Sequence, residues 1–217
     1  MRALAAILLL VTLSLAPGEV GAAEWAVPPV GYAYAATQGC ESEESGERAQ
    51  RPNQAVYPIC ADQMQLFARG LVDARASGKL LLVTFGATWC PWCAMLQKQI
   101  ASGELLPKRG DPLDFAATFH HLEIGLSTLC KGHKAKIPSG EAVLALVLQQ
   151  ASGVRIRLIP FVAVVDAGTD DRVFARNLDG VLGKDGAIDP EKFRAVLVEA
   201  HATLRHAGTP PSVPGRN

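Results

Sequence analysis

The chain carries no excess of charge of either sign: lysine plus arginine and aspartate plus glutamate number 21 each in 217 residues. No net field therefore draws it to nucleic acid or to an anionic membrane, and partners have to be argued from a site. Long apolar runs are also missing. The run from Ala3 to Ala16 is relieved by Thr12 and Ser14 and broken by Pro17-Gly18, so it falls short of the roughly 20 residues that cross a bilayer. No internal repeat is apparent, which argues against a solenoid. No cysteine precedes Cys40, so nothing there suits a lipid-anchored amino terminus. A second Cys-x-x-Cys is absent as well, which removes the zinc site built from two such pairs.

What is present begins with an address. Met1-Arg2, the short apolar run and the small residues Gly21, Ala22 and Ala23 have the build of a secretory signal peptide over residues 1–23, cleaved near Ala23. The expected location is periplasmic or secreted. Five cysteines in an exported chain enter an oxidising compartment, where thiols tend to pair and an odd number leaves one over. Residues 24–58 mix prolines, glycines and the run Glu41-Ser42-Glu43-Glu44-Ser45-Gly46-Glu47, and read as an irregular extension. Residues 59–207 read as one domain and 208–217 as a disordered tail.

Within that domain Met64, Phe67, Ala68 and Leu71 recur at helical spacing up to a glycine stop at Ser77-Gly78. Leu80-Leu81-Leu82-Val83-Thr84-Phe85 is a continuously apolar run, as expected for a strand buried on both faces. The segment from Cys90 to about Ser102 predicts a helix, and Phe119 to Leu126 a second buried strand. Strand, helix, strand argues for a parallel pair with a right-handed crossover. Glu141 to Gln150 predicts a covered helix. Phe161 to Val165 and Arg172 to Arg176 read as a hairpin across a turn-rich connection. A last helix opens at an Asp189 cap with Pro190 in its first position. The order gives an α/β fold, a mixed sheet flanked by helices.

Cys90-Pro91-Trp92-Cys93 sits between the first strand and its helix. A thiolate that attacks a disulfide needs a second thiol nearby to resolve the mixed disulfide, and Cys-x-x-Cys supplies both. At a helix start, unpaired backbone N–H groups and the positive end of the dipole favour the first thiolate. The segment Phe85-Gly86-Ala87-Thr88-Trp89-Cys90-Pro91-Trp92-Cys93 resembles the active-site segment of the thioredoxin superfamily, including its exported bacterial envelope members, and the likeness covers roughly Leu80 to Ala202. The resemblance implies a thioredoxin-like fold and a protein thiol-disulfide oxidoreductase. Cys90 would be the nucleophile and Cys93 the resolving thiol. Pro160, before the strand that faces the cysteines, would be the cis-proline beside which substrate backbone docks, with Ile159 next to it. Trp89, Pro91 and Trp92 would contact substrate, though the tryptophans also suit packing over the helix start. The cysteine pair carries the electrons, so no organic cofactor is implied. Partners would be protein thiols and disulfides and a membrane protein that recycles the pair, with the chain itself a monomer. Reductant, oxidant and isomerase remain alternatives.

The pattern departs from the family at one place. Thioredoxins proper hold a buried aspartate six residues before the first cysteine, where this chain has Thr84. Glu123, in the middle of the second strand, is the candidate proton acceptor; a strand-face glutamate at the sheet surface is the plainer alternative. Cys40 and Cys60 flank the acidic extension, and a disulfide between them would tie it to the first helix. Cys130 lies in an insertion from Ser127 to Gly140 that also holds Lys131, His133, Lys134 and Lys136, and reads as a mobile basic loop. A different class stays open: Cys90, Cys93, Cys130 and His133, with His120 or His121, would suit Cu(I) or Zn(II) in an envelope metallochaperone. Against it, His120 and His121 point to opposite faces of a strand, and Cys130-x-x-His133 is a weak signal. The oxidoreductase reading therefore assigns no metal site.

Overall fold

The computed structural model describes residues 57–59, 61–105, 113–130, 133–151, 153–168, 172–183 and 187–206, with only the backbone of Leu129, Cys130, His133 and His206. The expected signal peptide, most of the extension, the Cys40–Cys60 pairing and the tail lie outside the described residues.

Leu80–Ala87 forms β1, and all eight of its residues are buried. A strand without a polar face must be covered on both sides, and the helices divide accordingly. Leu80 and Leu82 face one layer, with Leu96 and Ile100 of α2 (Pro91–Ala101), Phe115 of the short α3 (Phe115–Thr118) and Phe193 and Leu197 of α5 (Pro190–His206). Leu81, Val83 and Phe85 face the other. There they meet Met64, Phe67 and Leu71 of α1 (Gln63–Ser77) and Val143 and Val147 of α4 (Pro138–Gln150). Fully burying a side chain of this kind contributes roughly 1.5–3 kcal/mol, so the two apolar layers hold the sheet in place.

β2 (Phe119–Cys130) runs parallel to β1, in register from Leu80 opposite Phe119 to Gly86 opposite Gly125. β4 (Phe161–Asp166) lies antiparallel on the other side of β1 and pairs in turn with β5 (Arg172–Asn177). With β3 (His133–Lys136) the order is β3-β2-β1-β4-β5. The mixed sheet and the β4–β5 hairpin match the expectation. The basic insertion does not: Ser127 to Cys130 continue β2, and His133 to Lys136 return antiparallel to them, so the expected mobile loop is a β-hairpin. Its sequence, alternating lysines with small or apolar residues, resembles a loop in composition, but edge strands commonly carry lysine.

Helix ends obey local chemistry. Asp62 caps α1 through Met64 and Gln65 N–H, and Gly78 ends it at φ 66°, where a side chain would be strained. Asp189 Oδ1 accepts from the N–H groups of Glu191 and Lys192, as the sequence predicts. α4 starts three residues earlier than expected, with Pro138 in its first turn. Its first turn presses onto β2 so closely that a methyl on Gly140 would run into the Gly125 carbonyl. Gly140→Ala is therefore expected to lower stability by about 1–3 kcal/mol; a urea midpoint equal to that of the unsubstituted protein would show the contact to be compliant.

Candidate active site

β1 ends at Ala87 and α2 begins at Pro91, which leaves Thr88, Trp89 and Cys90 to turn the chain. Cys90 N–H donates to the Ala87 carbonyl at 3.1 Å and Thr88 N–H to the Ser127 carbonyl at 3.2 Å. Cys90 is the N-cap residue of α2, and its sulfur accepts the Cys93 N–H at 3.2 Å. The first cysteine thus sits at the end of a helix dipole with a backbone donor aimed at its sulfur, two effects that favour a thiolate when the pair is reduced. Here the two are joined as a Cys90–Cys93 disulfide. Cys90 is 2% and Cys93 0% exposed.

Pro160 directly precedes β4, its bond to Ile159 is cis, and the Ile159 carbonyl oxygen lies 3.7 Å from Cys90 Sγ. Ile159 and Trp89 border a cluster formed by Tyr57, Ile59, Ala87, Cys90, Cys93 and Ile137. Pro91 and Trp92 stand out of it, Trp92 with 41% of its surface exposed. Trp89 is held by the β2–β3 hairpin: its indole Nε1 donates to Ser127 Oγ at 2.7 Å, and Lys134 Nζ stands 3.5 Å from the ring centroid. The hydroxyls of Thr88 and Thr128 pair at 3.0 Å beneath it. The expected substrate contacts therefore divide, with Trp92 and Pro91 open to solvent and Trp89 built into the wall.

Under the cysteines lies a polar layer. Thr84, at the position where thioredoxins proper hold an aspartate, is directly opposite Glu123 in the register and hydrogen-bonds His121 Nε2 at 3.1 Å. Glu123 is half-buried and accepts from Gln97 Nε2, one turn beyond Cys93 on α2, at 2.9 Å. Burial pushes the Glu123 carboxyl above the ordinary carboxylate range, against the opposing effect of the Gln97 hydrogen bond. Burial, and then the charge of His120, lowers His121 to about 4, so its ring is neutral at pH 7.

Sequence reasoning passed over Tyr57, which fell at the end of the irregular extension. It is 1% exposed and its ring lies across Gly125 towards Gly86. Those two glycines are cross-strand partners, and their missing side chains make the slot it fills. An available signal was the pairing of a glycine before Trp89-Cys90 with one near the end of the next strand. Among the described residues no three His, Cys, Asp or Glu side chains gather as a metal-binding group, and the side chains of Cys130 and His133 lie outside that description.

The parallel β1-α2-β2 unit, the antiparallel β4–β5 pair packed under α5, and the disulfide where β1 meets α2 define a thioredoxin-like fold with a cysteine pair at the start of α2. Among solved structures, a disulphide isomerase from Xylella fastidiosa Temecula1 is similar at 20% identity with a TM-score of 0.43, over 66% of this chain and 97% of that one. No family model matches the chain, and no curated protein matches it. The fold follows from the sheet order and the position of the disulfide, not from this neighbour.

The neutral His121 fixes a pH dependence. A group with a lowered folded pKa stabilises the fold above its unfolded value, near 6.5, and that contribution is lost as pH falls towards about 4. Glu123 works in the opposite sense, its raised carboxyl favouring the fold below its ordinary value and losing that contribution as pH rises. At roughly 1.4 kcal/mol per pKa unit, His121→Gln should flatten the acid limb by about 2–3 kcal/mol between pH 7 and pH 4. Denaturant titrations at those two pH values check this; parallel losses in both proteins would place the acid sensitivity elsewhere.

Proposed function

We propose that the protein is a thiol-disulfide oxidoreductase acting on exported proteins outside the cytoplasm, with Cys90 as nucleophile and Cys93 as resolving thiol. The observation that carries this reading is the place of the Cys90–Cys93 disulfide: Cys90 caps α2 with a backbone N–H on its sulfur, and Cys93 lies a turn inside, fully buried. In the reducing direction the Cys90 thiolate attacks one sulfur of a substrate disulfide. A Cys90–substrate disulfide forms and the substrate's other sulfur leaves as a thiolate. Cys93 then gives up its proton and attacks the Cys90 sulfur; the Cys90–Cys93 bond forms and the second substrate thiolate departs. Two electrons pass to the substrate, and the reverse sequence oxidises it.

Glu123 is the group we assign to take the Cys93 proton. It stands opposite Thr84, which has no basic side chain, and its raised carboxyl is better matched to a thiol than an ordinary carboxylate. Substrate would enter past Trp92 and Pro91 and lay its backbone beside Ile159 and Pro160. The apolar run at the amino terminus supports an exported location, and no described helix is long and apolar enough to cross a membrane. A membrane-bound partner would restore the pair after each turnover.

Equilibration with glutathione buffers, with Cys93→Ser as control, tests the reading. A reductant should give a potential near about −270 mV and an oxidant one near about −120 mV; a pair that does not cycle but binds one equivalent of Cu(I) or Zn(II) would replace the reading by a metal carrier. Glu123→Gln should slow release of substrate from the mixed disulfide by about 10²-fold, the lower range for loss of a positioned acid or base. An unaltered rate and pH profile in single-turnover assays would remove Glu123 from the mechanism.

A further inference from the structure

The two cross-strand glycines raise a question that the cysteine chemistry leaves unanswered: why a tyrosine, rather than a phenylalanine, fills the slot they make. A methyl built on Gly86 would lie 2.9 Å from Cys93 Sγ and 2.8 Å from Tyr57 Cζ, with the Tyr57 hydroxyl oxygen closer still. The phenol oxygen therefore occupies the place a Gly86 side chain would take, a place that the Cys93 sulfur also borders. At the other end of the ring, a methyl on Gly125 would stand 3.2 Å from Tyr57 Cβ and 3.0 Å from Ile137 Cδ1.

The backbone that carries Tyr57 is itself held down. Gln63 is fully buried, and its Nε2 donates to the carbonyls of Pro58 and Ala61 at 2.7 and 3.0 Å. Its Oε1 accepts the Gly125 N–H at 2.9 Å, and its own N–H donates to Ser139 Oγ at 3.2 Å. The Gln63 side-chain amide thus pins the Tyr57 segment to β2, and its backbone N–H ties the same residue to the start of α4. A ring fixed at both ends keeps its hydroxyl in one place, and a donor fixed before the reaction loses little entropy in making its bond.

From this geometry we propose that the Tyr57 hydroxyl donates a hydrogen bond to the Cys93 sulfur of the reduced protein, stabilising its thiolate as Cys93 resolves the mixed disulfide. The role in resolution rests on the oxidoreductase reading; the hydrogen bond does not. Tyr57 and Glu123 then divide the work of the missing aspartate. Glu123 removes the proton, and Tyr57 holds the charge left on sulfur without losing its own proton, since burial and then the charge of Glu123 raise its pKa. The titratable groups about this space are Cys90 and Cys93 at α2, Tyr57, and Glu123 on β2, whose charge acts on Tyr57; His121 lies further back on the same face of β2, bonded to Thr84, and α2 contributes the uncharged Gln97.

The test uses the full chain with Cys90→Ser, so that Cys93 alone titrates in the pair, followed by thiolate absorbance and by alkylation rate against pH. Tyr57→Phe keeps the ring and its packing but removes the donor. The apparent pKa of Cys93 is expected to rise by about one unit, as for loss of a hydrogen bond to the charged form. With Cys90 restored, release of substrate should slow several-fold while the first attack by Cys90 is unchanged. An unmoved Cys93 titration in folded Tyr57→Phe overturns the proposal. A second measurement needs no change at Tyr57: in ring-labelled protein carrying only Cys90→Ser, the Tyr57 Cζ resonance should follow the Cys93 titration, and a resonance that does not move overturns the proposal equally. If the pair fails to cycle with glutathione while the Cys93 titration still depends on Tyr57, the function is wrong and the hydrogen bond stands.

Discussion

β1 has no face of its own, and the rest of the molecule follows from that burial. Apolar side chains alternate to both sides of it, α1 and α4 cover one layer and α2, α3 and α5 the other, and β2 and β4 take up its hydrogen bonds along both edges. A chain leaving such a strand has to reach a covering layer at once. Three residues suffice here, and the third is Cys90, so the first cysteine meets the exposed N–H groups of α2 at the point where the sheet ends. The same burial keeps water away from the sulfurs, which strengthens every polar contact made to them.

That dry setting sets the electrostatics below the disulfide. A buried aspartate on β1 would be enclosed by the apolar layers themselves. Thr84 leaves a neutral hydroxyl in that position, bonded to a neutral His121, and the carboxylate stands one strand away as Glu123, partly open and held by Gln97. Moving the charge outward reduces its desolvation cost while leaving it on the face that α2 covers. The paired glycines open the remaining gap, and Tyr57 closes it from a segment that precedes the first helix.

The β2–β3 hairpin gives the site its other wall. Its contacts fall on Thr88 and Trp89, the residues that turn the chain into α2: a buried hydroxyl pair, an indole hydrogen bond and a lysine over the indole ring. A cation near an aromatic face contributes about 0.5–1 kcal/mol at an exposed site, modest beside the geometric effect of fixing Trp89 next to the nucleophile. Trp92, directly before Cys93 but exposed where Cys93 is buried, is left as the open aromatic at the rim.

Much of this was legible in the chain. The unbroken run before Cys90 marks a strand buried on both faces, the Cys-x-x-Cys motif marks the start of the next helix, and Asp189-Pro190 marks the last one. These are local signals, each carried by neighbouring residues with a fixed period or cap. The hairpin at Ser127 to Lys136 was not legible, because a lysine-rich edge strand has the composition of a loop and is a strand only where β2 offers an open edge. Glu123 could be placed on the neighbouring strand from the sequence, but its pairing with Gln97 required the crossing of α2 over β2. Tyr57 is the sharpest case. The sequence by itself determined that a cysteine pair would stand between a buried strand and a helix; only the tertiary structure decided that Gly86 and Gly125 lie side by side and admit a tyrosine, because strand register and the reach of a distant side chain come from packing that no local pattern contains.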